Sequence, residues 1–246
     1  MSLMRANLGE IVKKQCAYKR KANIDSFSSL VMIQMIAILF SFGGSGMMGS
    51  SSGNMTIDVK YYSADIVIAF TMIWSLVTAI TITTKPYRNQ DFTFVTNRMS
   101  SSLANIFFLL IASIIGAITA SLASYLLRAL GYLLFDYQFY GHPFLLKELI
   151  LGIFITFLYV FCISSIGYLI GTLVQVNKIF IGVIPVLVIG SSILDSSMQR
   201  EPFIANVFQF FFMESSIGLF IFKIVITAAI FFIASISILN RMEVRR

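Results

Sequence analysis

Six long apolar runs divide this sequence, and no other feature limits its fold as strongly. Crossing about 30 Å of hydrocarbon takes about 20 helical residues, and most of the runs approach or exceed that length. Lipid offers the backbone no hydrogen-bonding partner, so runs without the alternation of barrel strands must be helical. The sequence therefore predicts six transmembrane helices, at 28–44, 65–83, 103–127, 149–173, 179–194 (short, with Pro185) and 217–239.

The composition agrees with an all-α membrane protein. Hydrophobic residues make up 58% of the 246 residues and charged residues only 12%, whereas soluble domains carry about 25% charged residues. The predicted organisation is a cytoplasmic N-terminal segment at 1–26, a six-helix membrane domain at 27–240 and a basic cytoplasmic tail at 241–246.

Basic residues indicate the orientation of the six helices. If the N-terminus is cytoplasmic, 13 of the 18 Lys and Arg residues fall on the inner side, as the positive-inside rule requires. Both termini are therefore predicted to be cytoplasmic. The net charge of +7 is explained by this bias, and no nucleic-acid partner is predicted.

The N-terminal segment has the pattern of a short amphipathic helix. Leu8, Ile11 and Val12 share one helical face, and basic residues follow as far as Lys21. Such a helix would lie on an anionic inner leaflet. An ordinary positively charged flank of the first span is the alternative.

Three connecting features carry further expectations. The segment 40–62 is rich in Gly, Ser and Met and is expected to be a flexible outer loop. The segment 202–213 is too apolar for a solvated loop and too short to cross, which predicts a re-entrant or interface-lying helix. Lys223, inside the sixth run, is expected to reach the outer interface with its long side chain.

Small residues inside the runs favour close helix packing. Gly167 and Gly171 have GxxxG spacing, and Gly116 and Ala120 form a second small pair. These positions let helices approach each other either within one chain or between subunits.

The chain lacks the residues of the common catalytic and nucleotide sites. No Gly is followed by Lys, so no P-loop is present, and no His-Glu-x-x-His motif occurs. The two cysteines, Cys16 and Cys162, are expected to form neither a disulfide nor a metal site. The chain is predicted not to be an enzyme, with no catalytic residue, metal or cofactor of its own. A membrane-embedded enzyme is a minor alternative, based on the outer cluster Asp136, His142, Lys147 and Glu148.

The segment TTKPYRNQDFTFVTNRMSSS, 83–102, is longer and more aromatic than a plain cytoplasmic connector. Pro86 suits a first helical turn, and Phe92, Val95 and Met99 share one helical face. Ser100 or Ser101 is expected to cap the third span. The segment therefore predicts a short helix that either docks on a partner or lies flat on the inner leaflet.

This layout resembles the permease subunits of ABC-2 type transporters, similar to exporters of antimicrobial or toxin peptides. The phrase KPYRNQDFTFVTNRMSSSLANIFFLLIASIIGA carries the resemblance most clearly. The resemblance implies two permeases, identical or related, and two separate ATPase subunits that bind ATP and Mg²⁺. It also implies a coupling segment that docks on the ATPase, made of Pro86, Tyr87, Arg88, Asp91, Phe92, Phe94, Val95, Arg98 and Met99.

The resemblance further implies a pathway between the two permeases, lined by the first, second and fifth spans. An apolar, Met-rich lining adapts to hydrophobic cargo of varied shape. The expected cargo is first a membrane-active peptide and next a lipid or lipid-linked molecule. The expected location is the plasma membrane of a bacterial cell. A standalone carrier or bacteriocin-immunity protein, working without an ATPase, is the alternative. The candidate lining residues are Met32, Met35, Phe40, Met72, Trp74, Ile184 and Val188.

Overall fold

The computed structural model describes residues 8–43, 46–52, 55–61, 65–84, 86–87, 98–135, 146–198, 200–214 and 216–241. These residues form eight helices and one pair of strands. Their order is α1 (Leu8–Ala22), α2 (Ile24–Ser41), β1 (Gly46–Ser52), β2 (Met55–Tyr61), α3 (Asp65–Thr83), α4 (Arg98–Phe135), α5 (Leu146–Val176), α6 (Phe180–Ser197), α7 (Phe203–Phe212) and α8 (Ile217–Arg241).

Six of these helices are long and apolar enough to cross a membrane, namely α2, α3, α4, α5, α6 and α8. The prediction of six spanning helices is confirmed. The fold therefore defines a multi-pass membrane protein. The second span has the predicted bounds, because acidic Asp65 and the polar residues after Thr83 mark both ends of its apolar run.

The other helix ends differ from the prediction, most of all in α4. This helix has 38 residues, about 57 Å at 1.5 Å per residue, and so extends well beyond a bilayer core. It begins at Arg98, so Ser100 and Ser101 lie inside the helix and the predicted serine cap is wrong. The first span begins at Ile24 rather than 28, directly after a turn at Asn23 that separates it from α1.

Helix α3 contacts α2, α4 and α5, and α8 packs against α5 and, less extensively, against α4. The largest core cluster contains residues from all five of these helices, including Leu30, Trp74, Phe108, Tyr168 and Phe232. Each of these five side chains is almost fully buried. Helices α2, α3, α4, α5 and α8 therefore form one packed bundle.

The connector between α2 and α3 was expected to be a flexible loop, but much of it pairs as an antiparallel hairpin. Gly46 pairs with Tyr61, and Ser52 pairs with Met55. The signal that was missed is the sequence MTIDVKY of β2, which alternates polar and apolar residues and is rich in β-branched ones.

The predicted short helix before the last span is confirmed as α7, from Phe203 to Phe212. The preceding Pro202 suits the start of a helix, since it has no backbone N–H to leave unpaired. The backbone N–H of Phe203, in the first turn of α7, has no partner within the helix. It donates a hydrogen bond to the carboxylate of Asp195 at 2.8 Å.

Candidate functional site

The predicted coupling segment lies mostly outside the described residues, and this applies to Arg88, Asp91, Phe92, Phe94 and Val95. Its two described ends are accessible. Pro86 is exposed and Tyr87 half-buried just after α3, and Met99 is 47% exposed in the first turn of α4, which Arg98 begins.

Helix α1 packs against α4. Among the side chains of α1 that the structure describes, the buried ones are Val12, Gln15, Cys16 and Lys19, which follow the three- and four-residue spacing of one helical face. The predicted apolar face was centred on Leu8, Ile11 and Val12. The observed face includes Val12, continues along the same side of the helix and is more polar, because α4 offers it a polar partner in Asn105.

A chain of hydrogen bonds joins α1, α4 and α5 at this end of the bundle. The ammonium group of Lys19 donates to the Asn105 side-chain oxygen, and the Asn105 amide donates to the Tyr168 hydroxyl at 3.4 Å. The Asn23 amide donates to the Lys19 carbonyl at 2.9 Å. Polar contacts therefore fix where α1 sits on the bundle.

The buried thiol of Cys16 reports on this contact. Burial raises the pKa of Cys16 above its ordinary value, and the nearby charges of Arg20 and Lys19 only partly oppose that rise. The thiolate is the form of cysteine that attacks alkylating reagents. Cys16 is thus expected to react slowly at neutral pH as long as α1 stays packed on α4.

An Asn105→Leu variant is expected to speed alkylation of Cys16 by about tenfold or more, because a hydrogen bond to a charged group contributes about 1.5–3 kcal/mol. Cys162, buried in α5 at 6% exposure, is the internal control in the same molecule. The measurement is the alkylation rate of each cysteine by mass spectrometry. An unchanged Cys16 rate, or an equal rise at both cysteines, contradicts this role for Asn105.

The candidate lining residues fall into three groups by exposure. Met32, Met35 and Phe40 are exposed along one side of α2, and Val188 is exposed on α6. Met72 and Ile184 are half-buried. Trp74 differs from the rest.

Trp74 is only 2% exposed and lies in the largest core cluster. Its indole N–H donates to the Ser26 carbonyl at 3.1 Å and to the Ser29 hydroxyl at 3.0 Å. The side chain holds α3 to the start of α2 and faces no space outside this chain. Its assignment to the lining is therefore corrected.

A second buried polar cluster, which sequence reasoning missed, joins α2, α3 and α4. The Gln34 amide donates to the Thr71 hydroxyl at 3.1 Å and to the Thr119 hydroxyl at 3.0 Å. Gln34 is 7% exposed. A lone glutamine inside an apolar run was the available signal, because such a group in hydrocarbon needs a partner on another helix.

The small pair Gly167 and Gly171 brings α5 against α3 within this one chain. A methyl group on Gly167 would lie 2.6 Å from the Leu76 carbonyl oxygen, and one on Gly171 would lie 3.2 Å from the Ile80 Cα. Gly116 similarly faces Thr71 on α3, and its partner Ala120 is fully buried. The close approach that the spacing allows is intrachain at these positions.

Lys223 forms an ion pair with Glu214, and the expectation that its side chain reaches the outer interface stays a prediction. The ammonium group also lies 4.2 Å from the centre of the Phe210 ring. The hydroxyl of Tyr159 donates to the carbonyl of Phe211 at 3.2 Å. These contacts hold the end of α7 to α5 and α8.

The minor enzyme alternative gains no support from the residues described. Asp136 and His142 lie outside the described residues, and Lys147 and Glu148 are exposed in the first turn of α5. Within the described ranges, no three His, Cys, Asp or Glu side chains are grouped closely enough to hold a metal ion.

No protein-family model, curated protein or solved structure matches this chain.

Proposed function

We propose that this chain is the permease subunit of an ATP-driven exporter of the ABC-2 type, powered by a separate ATPase. The observation that carries the proposal is the order of elements: a basic helix, α1, precedes six apolar helices, and a short apolar helix, α7, lies between the last two. A polar and aromatic segment separates the second and third apolar helices. The absence of a P-loop from the sequence is consistent with a partner that hydrolyses ATP.

In this proposal both termini are cytoplasmic and α1 lies along the inner leaflet. The bundle leaves Lys13, Lys14, Arg20 and Lys21 exposed on α1, where they suit an anionic surface. Helix α7 then belongs to the outer side as a re-entrant segment, because it follows the fifth span. The membrane is the plasma membrane of a bacterial cell.

The cargo is an amphipathic or hydrophobic molecule, first a membrane-active peptide and next a lipid or lipid-linked molecule. Support comes from the exposed apolar faces of α2 and α6, which include Met32, Met35 and Val188. A second permease, identical or related, covers these faces and encloses the pathway. Methionine side chains in such a lining adapt to cargo of varied shape.

The coupling segment provides the test. Replacing 92–99 by eight Gly and Ser residues is expected to abolish association with the ATPase, because the variant lacks the apolar side chains that fill a partner groove. The measurement is quantitative mass spectrometry of the partner retained by the solubilised, affinity-purified protein.

Arg88→Glu is expected to weaken association in the same assay, by reversing one charge at the rim.

The matched control replaces 137–144, an outer segment of equal length, by the same Gly and Ser residues. Both variants must insert into the membrane and elute as the parent protein does. Retention of the ATPase by the 92–99 variant contradicts the proposal. Loss of the ATPase in both variants also contradicts it, because the effect then does not depend on the cytoplasmic segment.

A further inference from the structure

Helices α6 and α7 stand apart from the packed bundle. None of the 18 residues of α6 is buried, and no described side chain of α7 is buried either. The contacts of α6 with α5 and α7 are few compared with those between α3 and α5. By contrast, each of the other five spanning helices contributes side chains to a buried core cluster.

The two helices are joined to each other at one end. The Asp195 carboxylate accepts the Phe203 N–H at 2.8 Å, and the Asp195 carbonyl accepts the Arg200 N–H at 2.9 Å. A cavity of about 530 Å³ lies beside this junction, with Val188 and Ser192 of α6 and Ile204 of α7 in its wall. Asp195 therefore fixes the start of α7 relative to the end of α6.

A tight turn connects this pair to the bundle at the start of α6. The Asn177 N–H donates to the Leu173 carbonyl at 3.1 Å, and the Phe180 N–H donates to the Asn177 carbonyl at 3.2 Å. The Asn177 side-chain oxygen accepts the Ile179 N–H at 3.0 Å. The turn consists of only three residues, Asn177 to Ile179. Backbone rotation at these residues redirects α6.

The other attachment is at the end of α7. There Lys223 of α8 pairs with Glu214 and covers the Phe210 ring, while Tyr159 of α5 binds the Phe211 carbonyl. The two charged side chains are 25% and 17% exposed, so separating them leaves charge in poorly hydrated surroundings. This ion pair ties the end of α7 to the bundle through charge.

We infer that α6 and α7 form one movable unit, hinged at Asn177–Ile179 and held against the bundle by the Glu214–Lys223 ion pair. Breaking the pair leaves the end of α7 held by the Tyr159–Phe211 hydrogen bond and by the packing of Phe211 at the edge of one core cluster. With the charged contact gone, α6 swings about the turn. Two-ended attachment of a segment with no buried side chain permits such motion, because little packing within this chain is lost. The inference goes beyond the proposed function and holds whatever the chain transports.

Paired spin labels test this motion in the full-length protein, reconstituted in lipid and carrying alanine at Cys16 and Cys162. A Cβ at Gly190 of α6 or at Gly152 of α5 meets no atom within 4 Å, so labels fit at both. Gly218 of α8 has the same freedom. The reporting pair is Gly190→Cys with Gly152→Cys, and the control pair is Gly218→Cys with Gly152→Cys.

Lys223→Met and Glu214→Gln are each expected to add longer distances to the reporting pair and to leave the control pair unchanged. Exchanging the two charges, with Glu214→Lys and Lys223→Glu together, is expected to restore the parent distribution. Unchanged distances in the reporting pair overturn the inference. Equal changes in both pairs overturn it as well, because the ion pair then holds the whole bundle rather than the α6–α7 unit.

Discussion

Replacing Trp74 by alanine is expected to lower the free energy of unfolding by about 3–5 kcal/mol. The indole is 2% exposed and lies among side chains from five helices. Its removal leaves a cavity that neighbouring helices fill only in part, and it also removes two hydrogen bonds to the start of α2. The measurement is unfolding of the purified protein in mixed micelles by increasing SDS.

Two further variants separate packing from hydrogen bonding at Trp74. Trp74→Phe keeps most of the ring and is expected to cost about 1 kcal/mol, the usual net value of a lost hydrogen bond. Ile73→Ala, at the neighbouring position that is 59% exposed, is expected to change stability by less than about 0.5 kcal/mol. If Trp74→Ala is as stable as Ile73→Ala, Trp74 is not a core residue and its assignment to the pathway lining stands again.

Replacing Gly167 by alanine is expected to cost about 1–3 kcal/mol, as overpacking of a tight interface does. The added methyl group would lie 2.6 Å from a backbone oxygen and 3.1 Å from the Cα of Leu76. Backbone atoms cannot rotate away as a side chain does, so α3 and α5 must separate. Because α3 contacts three neighbours, the displacement spreads through the bundle.

The matched control is Gly152→Ala, in the same helix. A Cβ at Gly152 meets no atom within 4 Å, and alanine favours helix over glycine by about 1 kcal/mol. SDS unfolding of both variants measures the difference. Equal stability of Gly167→Ala and Gly152→Ala would show that α3 and α5 do not pack closely at Gly167.

The sequence predicts the spanning helices well because their signal is intrinsic to each segment. A run such as 65–83 must be helical in lipid wherever its neighbours lie. Helix ends are less predictable, since α4 continues into polar residues at Arg98 that lipid does not require to be helical. The segment MTIDVKY fits a strand, but its Gly- and Ser-rich partner β1 gives no such signal.

Side-chain positions within the bundle are harder to predict from the sequence. In α3 the polar residues Thr71, Ser75 and Thr78 recur at spacings of four and three and lie on the same buried face as Trp74; this signal was missed when Trp74 was assigned to the lining. The Glu214–Lys223 pair joins residues on either side of the start of α8, where helical spacing does not apply. Lys19 was also hard to predict. Its place in a run of basic residues suggests a solvated cation, but Asn105 binds it in a buried site.

The proposed transport function requires a separate ATPase partner. The most direct measurement is affinity purification of the unaltered protein from its native membrane in a mild detergent, with mass spectrometry of every retained chain. A P-loop ATPase, retained in equal amount to the permease chains, is the predicted result. The contrary result is a purified protein that is folded but retains no ATPase, taken from a membrane in which the protein is active. That result would contradict the proposed function and favour a protein that works alone.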